Sequence, residues 1–208
     1  MKFYDCETAP SPRRVRIFMA EKDIAIPVVQ VNLREGEQLG EEFRRLNPDC
    51  TVPVLQLDDD STLTEVFAIC QYLEECHPEP ALLGRTAAER ATVTMWNSKI
   101  EQHGLAAIAE AFRNKARGFS GRALTGASNF AQIPELAERG RMRSELFFDR
   151  MEALFATNEF VVGDYFSFAD ISALVAVDFA AWMKIGMHGR EHLQRWHAAV
   201  SARPSASA

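Results

Sequence analysis

Three short stretches of this chain carry residue types at spacings that could do chemistry. In Asp5-Cys6-Glu7-Thr8-Ala9-Pro10-Ser11-Pro12-Arg13 a loop delivers the chain to the start of a helix. Free N–H groups at such a start, helped by a hydroxyl from Ser11 or Thr8, favour a bound thiolate over a thiol of ordinary pKa, about 8.5. No histidine accompanies them, so a triad-type serine nucleophile is not indicated, and Ser11 could equally cap the helix. The stretch TLTEVFAICQYL, residues 62–73, puts Glu65 in the first turn of another helix, with apolar Val66 beside it. Glu65 there either offsets the helix dipole or holds an ammonium while the helix N–H groups hold a carboxylate. An amino-acid terminus has both charges. In NPDCTVPVL, residues 47–55, Pro53 stands at the mouth of a strand. A cis Val52–Pro53 bond would leave the N–H and C=O of Val52 free to pair with an extended peptide, as one more strand would; the alternative is a plain tight turn.

The elements that must position these stretches alternate in period. Residues 2–4 read as a strand, 5–12 as loop and 13–22 as a helix with Val15, Phe18 and Met19 on one face. Val28, Val29 and Val31 form a second β-rich run, followed by a helix over 37–46 with Leu39, Phe43 and Leu46 inward. Asn47-Pro48 ends it, residues 54–57 and 62–63 are short strands around a turn at 58–61, and Thr64 serves as N-cap of a helix that His77-Pro78-Glu79-Pro80 stops near Cys76. This β-α-β-α-β-β-α order fits a small mixed sheet covered by helices. Beyond Pro80 no strand series appears. Residues 86–117 and 135–156 read as long helices, and Ser167 caps an apolar helix to about Trp182, with Asp170 three residues on. A last helix spans 191–202 before Arg203-Pro204 and a Ser/Ala tail expected to fray. The domains are therefore expected at 1–78, α+β, and 85–208, all-helical.

Composition narrows the function classes. The 208 residues are 47% hydrophobic and 25% charged with a formal net charge of −6, and dense basic runs are confined to 13–16 and 139–143, which argues against nucleic acid. No apolar run approaches the about 20 residues a membrane span needs, and the N-terminus has no secretory pattern, so no membrane partner and a cytoplasmic location are expected. Cys6, Cys50, Cys70 and Cys76 fit no CxxC or zinc-finger spacing and are expected to be reduced. His188 and His192 lack a third ligand, and Asp58-Asp59-Asp60 lacks the interleaved spacing of a calcium loop, so no metal is expected.

With NPxxTVPxL at 47–55, LTE-x-x-AI-x-x-YL at 63–73 and GD-x-F-S-x-ADI at 163–171, the sequence resembles the cytosolic glutathione transferases over nearly its whole length. The resemblance is to the bacterial theta/nu/beta-like members. It implies a thioredoxin-like glutathione-binding domain, then an all-helical domain contributing the electrophile site, in a homodimer serving detoxification.

The resemblance also assigns roles. Val52, before Pro53 and after Thr51, matches the residue whose backbone pairs with the cysteinyl part of glutathione; Glu65 matches the acidic residue on the γ-glutamyl ammonium. Val66 stands where the family has a Ser for the γ-glutamyl carboxylate. Gly36-Glu37-Gln38 looks like Gly-Glu-His, making Gln38 a candidate for the glycyl end, and Cys50 stands where some classes have a His. Two alignments place the catalytic position at Ser11 and a theta-like one at Ala9, with Thr8 and Cys6 as further candidates. The implied reaction is attack of the glutathione thiolate on a small hydrophobic electrophile held between the domains by residues such as Met95, Trp96, Lys99, His103, Phe112 and Arg113. Glutathione is the cosubstrate, with no metal. The alternatives are a glutathione-dependent thiol transferase or reductase using Cys6, less readily Cys50, and a noncatalytic family member kept for partner binding.

Overall fold

The computed structural model describes residues 1–208, which divide into two compact units: 1–80 with 125–128 and Ala208, and 81–124 with 129–207. In the first, β1 (Lys2–Asp5) is flanked by β2 (Val28–Gln30) and β3 (Val54–Gln56), with β4 (Thr62–Leu63) outside β3. β1 runs parallel to β2, Phe3 opposite Val28, and antiparallel to β3, Phe3 opposite Leu55; β4 is antiparallel to β3. Because side chains alternate along a strand, Phe3 and Leu55 face one way and Tyr4 and Val54 the other. Tyr4 and Val54 join Val31, Phe43, Leu33, Leu46 and Val52 in one cluster. α1 (Pro10–Glu21) packs on α3 (Val66–Cys76), burying Val15, Ile17, Phe18, Ile69 and Leu73. Their C-terminal ends are tied by Lys22, whose buried ammonium meets Glu74 at 2.7 Å and the carbonyls of His77 and Pro80 at 2.7 and 2.6 Å. This is the α+β thioredoxin-like arrangement, and the second unit is all-helical.

Several elements depart from their sequence reading for local reasons. α1 begins at Pro10 rather than Arg13, because a proline's missing N–H is no loss in a first turn. The helix expected over 37–46 is broken at Gly40, extended at φ −69° and ψ 157°, into a 3-10 turn (Glu37–Leu39) and α2 (Glu41–Leu46). The cap of α3 is Glu65, not Thr64: the turn out of β4 takes one more residue.

In the second unit the long helix expected over 86–117 is three pieces: α4 (Ala87–Ile100), a π-helical turn (Glu101–Leu105) and α5 (Ala106–Arg113). Gly104 lies within the π turn against the ring of Phe147, where an added Cβ would come within 2.8 Å. α6 (Pro134–Phe155) lies along α5; Gly140 lets the backbones meet, since a Cβ there would sit 2.5 Å from the Ala111 nitrogen. α7 (Phe168–Ala181) is buried on nearly every side, and α8 (Glu191–Ser201) stacks Trp196 on Phe155 at 4.5 Å. The C-terminal residues do not fray: Pro204–Ser207 form a 3-10 turn with Ser205 buried, and Arg203 lies 4.0 Å over the Phe166 ring.

Candidate active site

The thiolate-stabilising candidates gather at the start of α1. Ala9 occupies the N-cap without a side-chain cap bond, so Ser11 is not the cap but lies in the first turn, half-buried. Pro10 and Pro12 flank it, and Arg13 donates its N–H back to the Ala9 carbonyl at 3.3 Å. Of the first three helical positions only Ser11 therefore has an N–H to offer, beside a hydroxyl on the same residue. Cys6 is buried beneath the loop, its Sγ 3.6 Å from Thr8 Oγ1.

The second group lies at the turn before β3. The Val52–Pro53 bond is cis, and the N–H and C=O of Val52 are taken by no other backbone group. The loop before it is braced by Asn47, nine-tenths and more buried, whose Nδ2 donates to the carbonyl and hydroxyl of Thr51 at 2.9 Å each while its Oδ1 accepts the Asp49 N–H at 3.0 Å. Cys50 is buried at φ +56°, its Sγ 3.5 Å from the Pro48 carbonyl. Sequence reasoning saw Asn47 as a helix stop and as the first residue of the NPxxTVPxL segment, and gave its side chain no bracing role.

At α3, Glu65 is exposed and held at φ +66° and ψ 124°, a conformation that costs a side-chained residue about 1–3 kcal/mol. No side chain caps the helix, and Val66 buries its own side chain while its N–H opens the first turn. Gln38 is buried in the 3-10 turn after Gly36, and its Oε1 has no hydrogen-bond partner. A buried amide oxygen left unpaired is costly, and the amide's two ends can exchange by a flip to meet a ligand of either polarity.

Electrophile-site candidates in the second unit fall into two groups. Lys99 stands 4.7 Å over the Trp96 ring, one turn away on α4, with Met95 exposed beside them; His103 is exposed on the π turn. Phe112 belongs to an aromatic cluster that sequence reasoning missed: its ring meets Phe119 at 5.2 Å and Phe179 and Trp182 at 5.5 Å each. Arg113 covers Phe119 at 4.4 Å and donates to the carbonyls of Arg122, Ala123 and Leu124, so it shapes the loop there. Burial, and then the nearby Arg122 charge, lower its pKa.

Two family models match separate parts of the chain. The N-terminal domain model of glutathione S-transferase matches residues 8–76, and the C-terminal domain model residues 120–204. Glutathione S-transferase 2 of Saccharomyces cerevisiae is 32% identical over 99% of this chain and 87% of its own length. Maleylacetoacetate isomerase of Rattus norvegicus is 44% identical over 84 residues, 39% of this chain and 38% of that one. Among solved structures, a glutathione S-transferase domain-containing protein of Marinobacter aquaeolei superimposes with a TM-score of 0.92 at 35% identity, covering 99% of both chains. Gtt2 of Saccharomyces cerevisiae does so with a TM-score of 0.91 at 32% identity, covering 99% of this chain and 98% of that one.

Proposed function

The chain belongs to the glutathione S-transferase family of enzymes, which use glutathione, and on that premise we propose that it ionises the glutathione thiol at Ser11 and delivers the thiolate to a small hydrophobic electrophile. The observation that carries this reading is the first turn of α1, where two prolines leave Ser11 as the residue that donates. Its N–H and hydroxyl favour the charged sulfur, whose proton passes to solvent. The sulfur lone pair then attacks the electrophilic carbon, displacing a leaving group or adding to it. No general base is needed, because stabilising the thiolate already populates the nucleophile.

The rest of glutathione is read onto the sites described. The Val52 backbone, between Thr51 and Pro53, pairs with the cysteinyl peptide as a short added strand. Glu65 takes the ammonium, the Val66 N–H takes the γ-glutamyl carboxylate, and Gln38 meets the glycyl end. Trp96, Lys99, His103, Phe112 and Arg113 are read as the electrophile side, Arg113 acting through the loop it holds. The reading includes a cytoplasmic homodimer serving detoxification. In its support, no helix is long and apolar enough to cross a membrane, and α6 carries two exposed apolar side chains, Met142 and Leu146, of the kind a contact with a second copy would cover.

The test is a titration of the bound thiol, followed by thiolate absorbance, in the protein and in Ser11→Ala. Losing a hydrogen bond to a charged group, about 1.5–3 kcal/mol, should raise the thiol pKa by about 1–2 units. Turnover with an activated aryl halide should fall in step near neutral pH. An unchanged thiol pKa would remove Ser11 from the role.

A further inference from the structure

Asp5, Arg16 and Gln30 come from three elements and close a ring on the backbone of Glu7. Asp5, 1% exposed at the end of β1, accepts Arg16 Nη1 at 2.6 Å and Gln30 Nε2 at 2.7 Å, one on each carboxylate oxygen. Arg16 Nη2 continues to the Glu7 carbonyl at 2.9 Å, and Gln30 Oε1 accepts the Glu7 N–H at 3.1 Å. The two peptide groups on either side of the Glu7 Cα are thus held, one by Gln30 and one by Arg16, and one buried carboxylate ties the two side chains together. The Asp5 carbonyl accepts the Val31 N–H at 2.7 Å, and the Cys6 carbonyl accepts the Ala9 N–H at 2.9 Å, carrying the constraint to the N-cap of α1.

As a source of stability such a ring is weak. A buried ion pair recovers little beyond its own desolvation and is often replaced by apolar groups without loss. What a satisfied buried network does well is hold one arrangement. Here it holds the loop that leads, two residues after Ala9, to Ser11. Misplacing a reacting group by about 1 Å can lose about a hundredfold in rate.

We propose that Asp5, Arg16 and Gln30 are positioning residues for the sulfur-stabilising turn: by fixing the backbone on both sides of Glu7 they set where Ser11 donates. This rests on the reading of Ser11 above. The ring contributes no net charge, since Asp5 and Arg16 cancel, so its effect on the thiol is geometric, and that fixes the signs of the test. Asp5→Asn, Arg16→Gln and Gln30→Met each loosen the loop, and each should raise the pKa of bound glutathione thiol, by about one unit. Calorimetric affinity for S-methylglutathione, which has no thiol to ionise, should stay within about twofold of the parent, a small free-energy change.

If the charges acted directly, Asp5→Asn would lower the thiol pKa, Arg16→Gln would raise it and Gln30→Met would leave it alone; that pattern overturns the proposal. So does a lower thermal midpoint with an unmoved thiol pKa, which would make the ring purely structural. Should Asp5→Asn fail to fold, Gln30→Met, on the exposed edge strand and without a change of charge, carries the test. If the unmodified protein binds neither glutathione nor S-methylglutathione, the functional reading falls and this inference with it; if it binds both and only the variants fail to shift, the inference alone falls.

Discussion

Glu65 holds a strained backbone with an exposed carboxylate at the mouth of α3. That combination separates two quantities which usually move together. Glu65→Gly removes the side chain that strains the turn and should stabilise the protein by about 1 kcal/mol in thermal or denaturant unfolding. The same change removes the proposed ammonium partner and should weaken glutathione about tenfold or more by calorimetry, the equivalent of one charged hydrogen bond. Val66→Ser tests the neighbouring position. A hydroxyl there should tighten glutathione severalfold, about the 1 kcal/mol of one hydrogen bond, while the loss of buried methyl groups lowers stability by about 1 kcal/mol. The residue types at 65 and 66 were legible in the sequence. The backbone conformation was not, because a positive φ at a glutamate has no signature in the neighbouring residue types.

At the scale of elements, α7 shows a motif read locally and completed at long range. Asp170 accepts the Ser167 N–H and hydroxyl at 3.0 Å each, the relation their spacing predicts. It also accepts the Val161 N–H at 2.9 Å and the indole N–H of Trp196 on α8 at 3.0 Å. Burial nevertheless pushes its pKa from 3.8 up to about 6. The folded carboxyl therefore binds a proton below about 6 and the unfolded one only below 3.8, so this stabilisation is complete below the lower value and lost as pH rises through the upper. Asp170→Asn has no such proton to bind and one acceptor too few for its donors, a loss of at least about 1–3 kcal/mol near neutral pH. Its deficit against the parent should widen by about 2 kcal/mol between about pH 7 and about pH 4.5 in urea unfolding. A constant deficit would mean that Asp170 stays ionised in the folded protein throughout.

Glu110, between α5 and α6, shows the opposite balance. Burial works against its charge, but hydrogen bonds from Arg139 and Arg143 outweigh it and hold the carboxyl below its ordinary pKa. Arg143 also donates to the Gln102 carbonyl at 2.8 Å, joining α6 to the π turn. The sequence reads 86–117 as one continuous helix because helix propensity registers no π turn. Within that turn Gly104 meets Phe147, 43 residues further along, a pairing with no local signature.

For the whole molecule, the proposed homodimer makes a direct prediction. Met142 and Leu146 lie one turn apart on α6 and are 61% and 67% exposed, in a chain of net charge −6 that would otherwise repel its copy. Leu146→Glu places a charge in that apolar face and should halve the mass measured by light scattering, with helical content by circular dichroism unchanged. A Leu146→Glu protein of parental mass would move the interface elsewhere.

The sequence by itself determined the β-α-β-α-β-β-α order of the first unit, the α+β then all-helical division of character, and the family, because these rest on short-range physics. Hydrophobic period, a proline that cannot donate and a side chain reaching three residues back act within a turn or two, and each is written in adjacent residues. Only the tertiary structure decided that Asp5 would meet Arg16 and Gln30, 11 and 25 residues away, or that Lys22 would be enclosed by Glu74 and the His77 and Pro80 carbonyls. Such partners are chosen by which faces come together and how much water they exclude, and a buried charge accepts whatever donor the packing brings to it.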